Sequence, residues 1–154
     1  FTAKGEPTGI TVSGTATSFG SDTDDVTIQL IKSGASEASY ETVVKGNSAS
    51  YSIEGVAPGT YTMKVMKNKN ITREYTVTVS SDNVTQNVYL CLLGDVNDDG
   101  LLNTADYSMI KAYAMGDATF DDVQKSAADL THDGAVDAYD AICLDLYIND
   151  LIEL

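Results

Sequence analysis

Asp95-Val96-Asn97-Asp98-Asp99-Gly100-Leu101-Leu102-Asn103-Thr104-Ala105-Asp106 places carboxylates or amides at positions 1, 3, 5, 9 and 12 of twelve residues, with glycine at position 6. This is the pattern of a calcium loop. Ca²⁺ takes six to eight oxygens from such a stretch, and the glycine permits the sharp turn that aims the next carbonyl, here that of Leu101, at the metal. Thirty-four residues later the pattern returns as Asp129-Leu130-Thr131-His132-Asp133-Gly134-Ala135-Val136-Asp137-Ala138-Tyr139-Asp140. One such loop is within reach of chance. Two at a fixed offset are an internal repeat.

Helical patterning follows each loop. Met109, Ile110 and Tyr113 after the first match Cys143, Leu144 and Tyr147 after the second, again at an offset of 34. With Leu102 and Val136 they form one apolar stripe per helix. Gly116 is placed to end the first helix. A third helix is predicted over Thr119–Ala128, with Thr119 as N-cap and Asp121 and Asp122 at the positive end of its dipole. The only histidine, His132, falls at loop position 4 and is read as solvated.

Upstream, the pattern is β. Residues 1–9 read as a leader strand or linker. Strands are predicted over Ile10–Phe19, Val26–Lys32, Tyr40–Lys45, Ser50–Glu54, Tyr61–Lys67, Ile71–Val79 and Val84–Leu92. They alternate β-branched and aromatic residues with polar ones, and turn residues such as Lys32-Ser33-Gly34, Gly46-Asn47 and Pro58-Gly59 punctuate them. About seven short strands without a convincing helix indicate an all-β sandwich. The expected layout is therefore two domains, a sandwich over 1–90 and a small all-α module over 91–154, with almost no linker between.

The charge distribution agrees. The net charge is −14; residues 91–154 hold fourteen acidic side chains against two lysines, a net of −12, and residues 1–90 only −2. Nucleic-acid binding needs a basic footprint and is not expected. No run of about 18 apolar residues exists, so no membrane span is expected. Phe1 is not a natural start, so the chain is expected to be a piece of a longer protein. Cys91 and Cys143 leave open a disulfide or two free, core-type thiols. No CxxC spacing suggests a zinc site. Catalysis is not expected: the best acidic clusters are taken up in the loops, the single histidine sits in a loop and no His/Ser/Asp set is seen, and no phosphate loop follows a strand.

An EF-hand has a helix on both sides of its loop. Here Asn87–Gly94 enters the first loop as a strand and turn, and position 12 is Asp106 or Asp140 rather than glutamate. These departures, the duplication and the spacing resemble the dockerin family over about residues 93–150. The resemblance implies two Ca²⁺. Its ligands would be Asp95, Asn97, Asp99, the Leu101 carbonyl, Asn103 (directly or through water) and Asp106. In the second loop they would be Asp129, Thr131, Asp133, the Ala135 carbonyl, Asp137 and Asp140. Thr131 departs from the Asn or Asp usual in that family. Calcium would be structural, because a module of about 60 residues has a small core and needs a staple.

The resemblance also implies a partner, the cohesin domain of a scaffold or cell-surface anchoring protein, bound 1:1 by a monomer outside the cell. The family's contact positions fall here on Thr104, Ala105, Lys111, Ala112 and Gly116 in the first repeat, and on Ala138, Tyr139, Asp145, Leu146 and Asp150 in the second. Tyr139, Ile142 and Leu146 lie at helical spacing and would make an apolar anchor, so the second helix is expected to dominate in one preferred orientation. Neither repeat has the Ser-Thr pair common in enzyme-borne dockerins.

Tyr51-Ser-Ile-Glu-Gly-Val-Ala-Pro-Gly-Thr-Tyr-Thr-Met-Lys-Val65 resembles the signature of carboxypeptidase regulatory-like, transthyretin-type sandwiches, and Gly14 suits that family. Such a domain would be a stabilising spacer, like the X module that accompanies some anchoring dockerins, or an accessory part of a polysaccharide-degrading enzyme. A carbohydrate-binding sandwich is the alternative. It would need exposed aromatics on a flat face; Trp is absent, and Tyr40, Tyr51, Tyr61, Tyr75 and Tyr89 fall within predicted strands.

Overall fold

The computed structural model describes residues 9–154. The leader expected over 1–9 thus lies, apart from Gly9, outside the described residues. The chain divides into two units, one running through Asn68 with Thr72–Leu90, the other Lys69–Ile71 with Cys91–Leu154.

The first unit is a two-sheet β-sandwich. Among the described residues its strands are β1 (Ile10–Thr17), β2 (Asp25–Lys32), β3 (Tyr40–Lys45), β4 (Ser48–Val56), β5 (Gly59–Met66), β6 (Arg73–Val79), β7 (Val84–Thr85) and β8 (Val88–Tyr89). One sheet has the order β3-β2-β5-β6, all antiparallel. In the other, β1 pairs antiparallel with β4 and parallel with β7 and β8. Alternation decides what turns inward. Val26, Ile28 and Leu30 of β2 are fully buried, as are Met63 and Val65 of β5, and Val12, Tyr51 and Ile53 join them from the facing sheet. Burying each such aliphatic side chain contributes about 1.5–3 kcal/mol.

The predicted last strand is split. Gln86 and Asn87 interrupt it, and side chains replace the missing ladder bonds. Thr11 N donates to Asn83 Oδ1 at 2.9 Å and Thr15 N to Asn87 Oδ1 at 3.0 Å. The Gln86 carbonyl also accepts from the Tyr51 hydroxyl. That carbonyl sits where a Cβ on residue 14 would be, which explains Gly14. Buried Lys67 ties strand ends together, donating to Ser18 Oγ at 3.1 Å and Asn47 Oδ1 at 2.6 Å.

In the second unit, Lys69–Ile71 bridges the segment that enters the first loop: Ile71 N donates to Cys91 O at 2.8 Å and Leu93 N to Lys69 O at 3.0 Å. The predicted strand from Ile71 begins instead at Arg73, because Ile71 packs with the second unit's core. Three helices follow, α1 (Thr104–Ala114), α2 (Asp122–Ala128) and α3 (Ala138–Ile148). Their core holds Ile110 and Leu144, both fully buried, with Val96, Phe120, Ala127, Ala128, Leu130 and Ala141. Met109, Tyr113, Cys143 and Tyr147 pack against it, so the two apolar stripes are the core faces. Tyr113 stacks on Phe120 with centroids 4.4 Å apart. Cys91 and Cys143 are not joined in a disulfide.

The helix between the two repeats, α2, starts later than expected. Asp121, not Thr119, is its N-cap: Asp121 Oδ1 accepts from Gln124 N at 2.8 Å and Gln124 Oε1 accepts from Asp121 N at 3.1 Å. The reciprocal pair satisfies two orphan donors where Thr119 would have satisfied one.

Candidate metal centre

Each loop is held in shape by its own carboxylates, and the two follow one scheme. Asp95 Oδ1 accepts from Asp99 N at 3.1 Å and Oδ2 from Gly100 N at 2.8 Å. Asp129 does the same for Asp133 N at 3.1 Å and Gly134 N at 3.0 Å. At position 12, Asp106 Oδ1 accepts from Val96 N and Asn97 N, and Oδ2 from Asn103 N. Asp140 accepts from Thr131 N and Asp137 N. Position 9 caps each helix: Asn103 Oδ1 takes Ala105 N and Asp137 Oδ1 takes Tyr139 N, both at 2.7 Å.

The backbone repeats as well. Asp98 and His132 at position 4 have φ of 63° and 58°, and Gly100 and Gly134 have 80° and 85°. Gly116 at 82° and Asp150 at 56° end the two helices in matching left-handed turns. His132 is exposed, and its Nδ1 lies 3.1 Å from the Leu130 carbonyl.

In the first loop these constraints gather charge. One carboxylate oxygen from each of Asp95, Asp99 and Asp106 lies within 4.8 Å of the others. Asp95 is only 2% exposed and Asp106 fully buried. Burial pushes the Asp95 carboxyl above its ordinary range; the Gly100 and Asp99 N–H groups oppose this, and the Asp106 carboxylate adds to it. Like charges at 4.8 Å repel by roughly 3 kcal/mol per pair at an effective dielectric of about 20. The donor set fits calcium. Oxygens that share one Ca²⁺ at about 2.3–2.6 Å lie within about 5 Å of each other, and all the donors are hard.

Among the described residues no second group of three such side chains is gathered this way. Asp129, Asp133, Asp137 and Asp140 are brought into one loop, but spread more widely. Asp140 is fully buried, and residues 131–135 are exposed.

The sequence reading passed over Gln124. Besides closing the α2 cap it donates through Nε2 to the Val96 carbonyl at 3.3 Å, tying α2 to the first loop. The spacing Asp121-x-x-Gln124 was the available signal.

The helix faces away from the core differ. On α1, Thr104, Ala105 and Lys111 are exposed and Ala112 half-buried. On α3, Ala138, Tyr139, Ile142 and Asp145 are exposed and Leu146 half-buried. Tyr139 is 70% exposed and Ile142 52%.

A β-sandwich followed by a duplicated oxygen-donor loop and helix is thus the class of protein. Residues 7–92 match the family described as BOS complex subunit NOMO1-like, second beta sandwich domain. Residues 93–149 match the dockerin type I domain. The chain belongs to that sandwich family over its larger part and carries a dockerin domain after it. Dockerin domains as a class bind calcium and are non-catalytic. No curated protein matches. Among solved structures, the chain resembles chains in two interface mutants, one amino-terminal and one carboxy-terminal, of a type II cohesin–X-dockerin complex from Acetivibrio cellulolyticus. Identities are 24% and 25%; each match covers 89% of this chain and 94% of the other, with a TM-score of 0.45. No helix among the described residues is long and apolar enough to cross a membrane.

Proposed function

We propose that this chain is a calcium-dependent adaptor. Its dockerin domain binds a cohesin domain one-to-one and so anchors a larger extracellular protein in a cellulosome-like assembly, while the β-sandwich serves as a stabilising spacer. The dockerin match over 93–149, on two loops of one hydrogen-bond scheme, carries the reading. Two Ca²⁺ are held, one per loop, by the side chains of Asp95, Asn97, Asp99, Asn103 and Asp106, and of Asp129, Thr131, Asp133, Asp137 and Asp140. The Leu101 and Ala135 carbonyls complete the sets. Metal binding free energy becomes folding free energy for this small module.

The α3 face carries the partner. Tyr139 and Ile142 are large, apolar and exposed, with Leu146 beside them and Asp145 on the rim, the composition of an anchor. Thr104, Ala105, Lys111 and Ala112 on α1 offer a smaller, basic face, so one orientation dominates. The sandwich is a poor carbohydrate platform: Tyr51 and Tyr61 are buried, and Tyr40, Tyr75, Tyr89 and Phe19 half-buried.

Binding of the chain and its variants to a panel of cohesin types, in calcium, tests the orientation. Ile142→Asp should weaken capture by at least about a hundredfold and Lys111→Ala by less than about threefold. The reverse ranking would move the contact to α1. No capture by any cohesin would remove the adaptor reading.

A further inference from the structure

We propose that the two calcium loops are unequal, the first tight and the second weak, and that the residue at their third position, Asn97 or Thr131, sets the difference. The inference rests on the calcium reading above and concerns how the same sites are ranked and filled.

Composition alone points both ways. The second loop has four ligand carboxylates, Asp129, Asp133, Asp137 and Asp140, against three in the first. More charge tightens a calcium site, and so does rigidity. The structure shows where each term goes.

Asn97 is a clamp. Its Oδ1 accepts from Asp99 N at 3.0 Å, and its Nδ2 donates to Asp99 Oδ2 at 3.0 Å. The Asp99 backbone and carboxylate are therefore both fixed by the side chain two residues before them. With Asp99 so held, its carboxylate stands with those of Asp95 and Asp106 inside 4.8 Å. Thr131 cannot do this. Its hydroxyl has one proton, which goes to Asp129 Oδ1 at 3.5 Å, leaving the Asp133 carboxylate without that support. A carboxylate that must be ordered as the ion arrives weakens the site.

Depth acts in the same direction. Asp95 is buried, whereas its counterpart Asp129 is half-buried. A cation is attracted more strongly where water is excluded. The additional charge of the second loop is partly diverted: Asp137 caps Tyr139 N at the start of α3, where the helix dipole already holds a negative group. Neutral Asn103 performs that task in the first loop. Rigidity and burial therefore outweigh one charge, and the first loop fills first.

The test is a calcium titration of the full chain, started in chelator, with the Gly100 and Gly134 amide signals followed by NMR. The Gly100 signal should reach its final position at roughly tenfold lower free calcium than Gly134. Thr131→Asn should draw the Gly134 transition toward that of Gly100, and Asn97→Thr should push the Gly100 transition upward. Coincident transitions in the unaltered chain, Gly134 moving first, or a gap that Thr131→Asn leaves unchanged would overturn the inequality while leaving calcium binding in place. If neither signal responds to calcium, the calcium reading falls with it.

Discussion

Asp106 and Gly14 show single residues set by what surrounds them. Asp106 is buried and accepts three backbone N–H groups, from Val96, Asn97 and Asn103. Asp106→Ala leaves them unpaired, at an expected cost of about 2–3 kcal/mol in thermal or urea unfolding, and Asp140→Ala, which frees two, should cost less. Gly14→Ala drives a methyl into the Gln86 carbonyl; the expected loss is about 1–3 kcal/mol in the same assay. The phenol of Tyr51 is pushed up to about 12 from 10.0, chiefly by burial, with Tyr75 adding to it. The sign follows from linkage. Below pH 10 both states keep the proton, and above it the unfolded chain loses it while the folded chain does not. Stability from this group is full below about pH 10 and falls by about 2–3 kcal/mol as pH approaches 12. Tyr51→Phe should flatten that part of the alkaline unfolding curve, at a cost of about 1 kcal/mol at neutral pH from the lost bond to Gln86.

The elements differ in how openly the sequence announces them. Alternation in β2 and β5 and the apolar stripes of α1 and α3 are side-chain patterns, and each element lies where its pattern does. The break between β7 and β8 was not legible as a break, because it depends on the Asn87 side chain reaching across to Thr15 of β1, seventy-two residues away in sequence. The start of α2 was ambiguous in the sequence: Thr119 and Asp121 are both capping residues, and only the partner three positions on, Gln124, favours the second. Asp121→Ala should lower stability by about 1 kcal/mol and Thr119→Ala by a few tenths, measured by thermal unfolding. The candidate ligands could be read from spacing. What spacing could not reveal was that Asn97 braces Asp99, since that depends on the direction of an amide within the folded turn.

At the scale of the molecule, charge and core size set the dependence on metal. Fourteen acidic groups in residues 91–154 face two lysines, and three carboxylates of the first loop converge. The sandwich has a core of its own, with fifteen buried residues from Val12 to Leu90. Chelation should therefore remove much of the α-helical signal in far-UV circular dichroism and leave the β signal; an unchanged helical signal would mean that the helical unit folds without metal. Grouping of Lys69–Ile71 with the helical unit was beyond the sequence reading, because Ile71 continues an apparent strand pattern without a break. Calcium-dependent partner binding is tested most directly by one calorimetric titration: the intact chain against a panel of cohesin domains, in calcium and again in chelator. Tight one-to-one binding to one cohesin type, abolished by chelator, is the predicted result. Binding that survives chelation, or no binding to any cohesin while the calcium-dependent fold is intact, would contradict it.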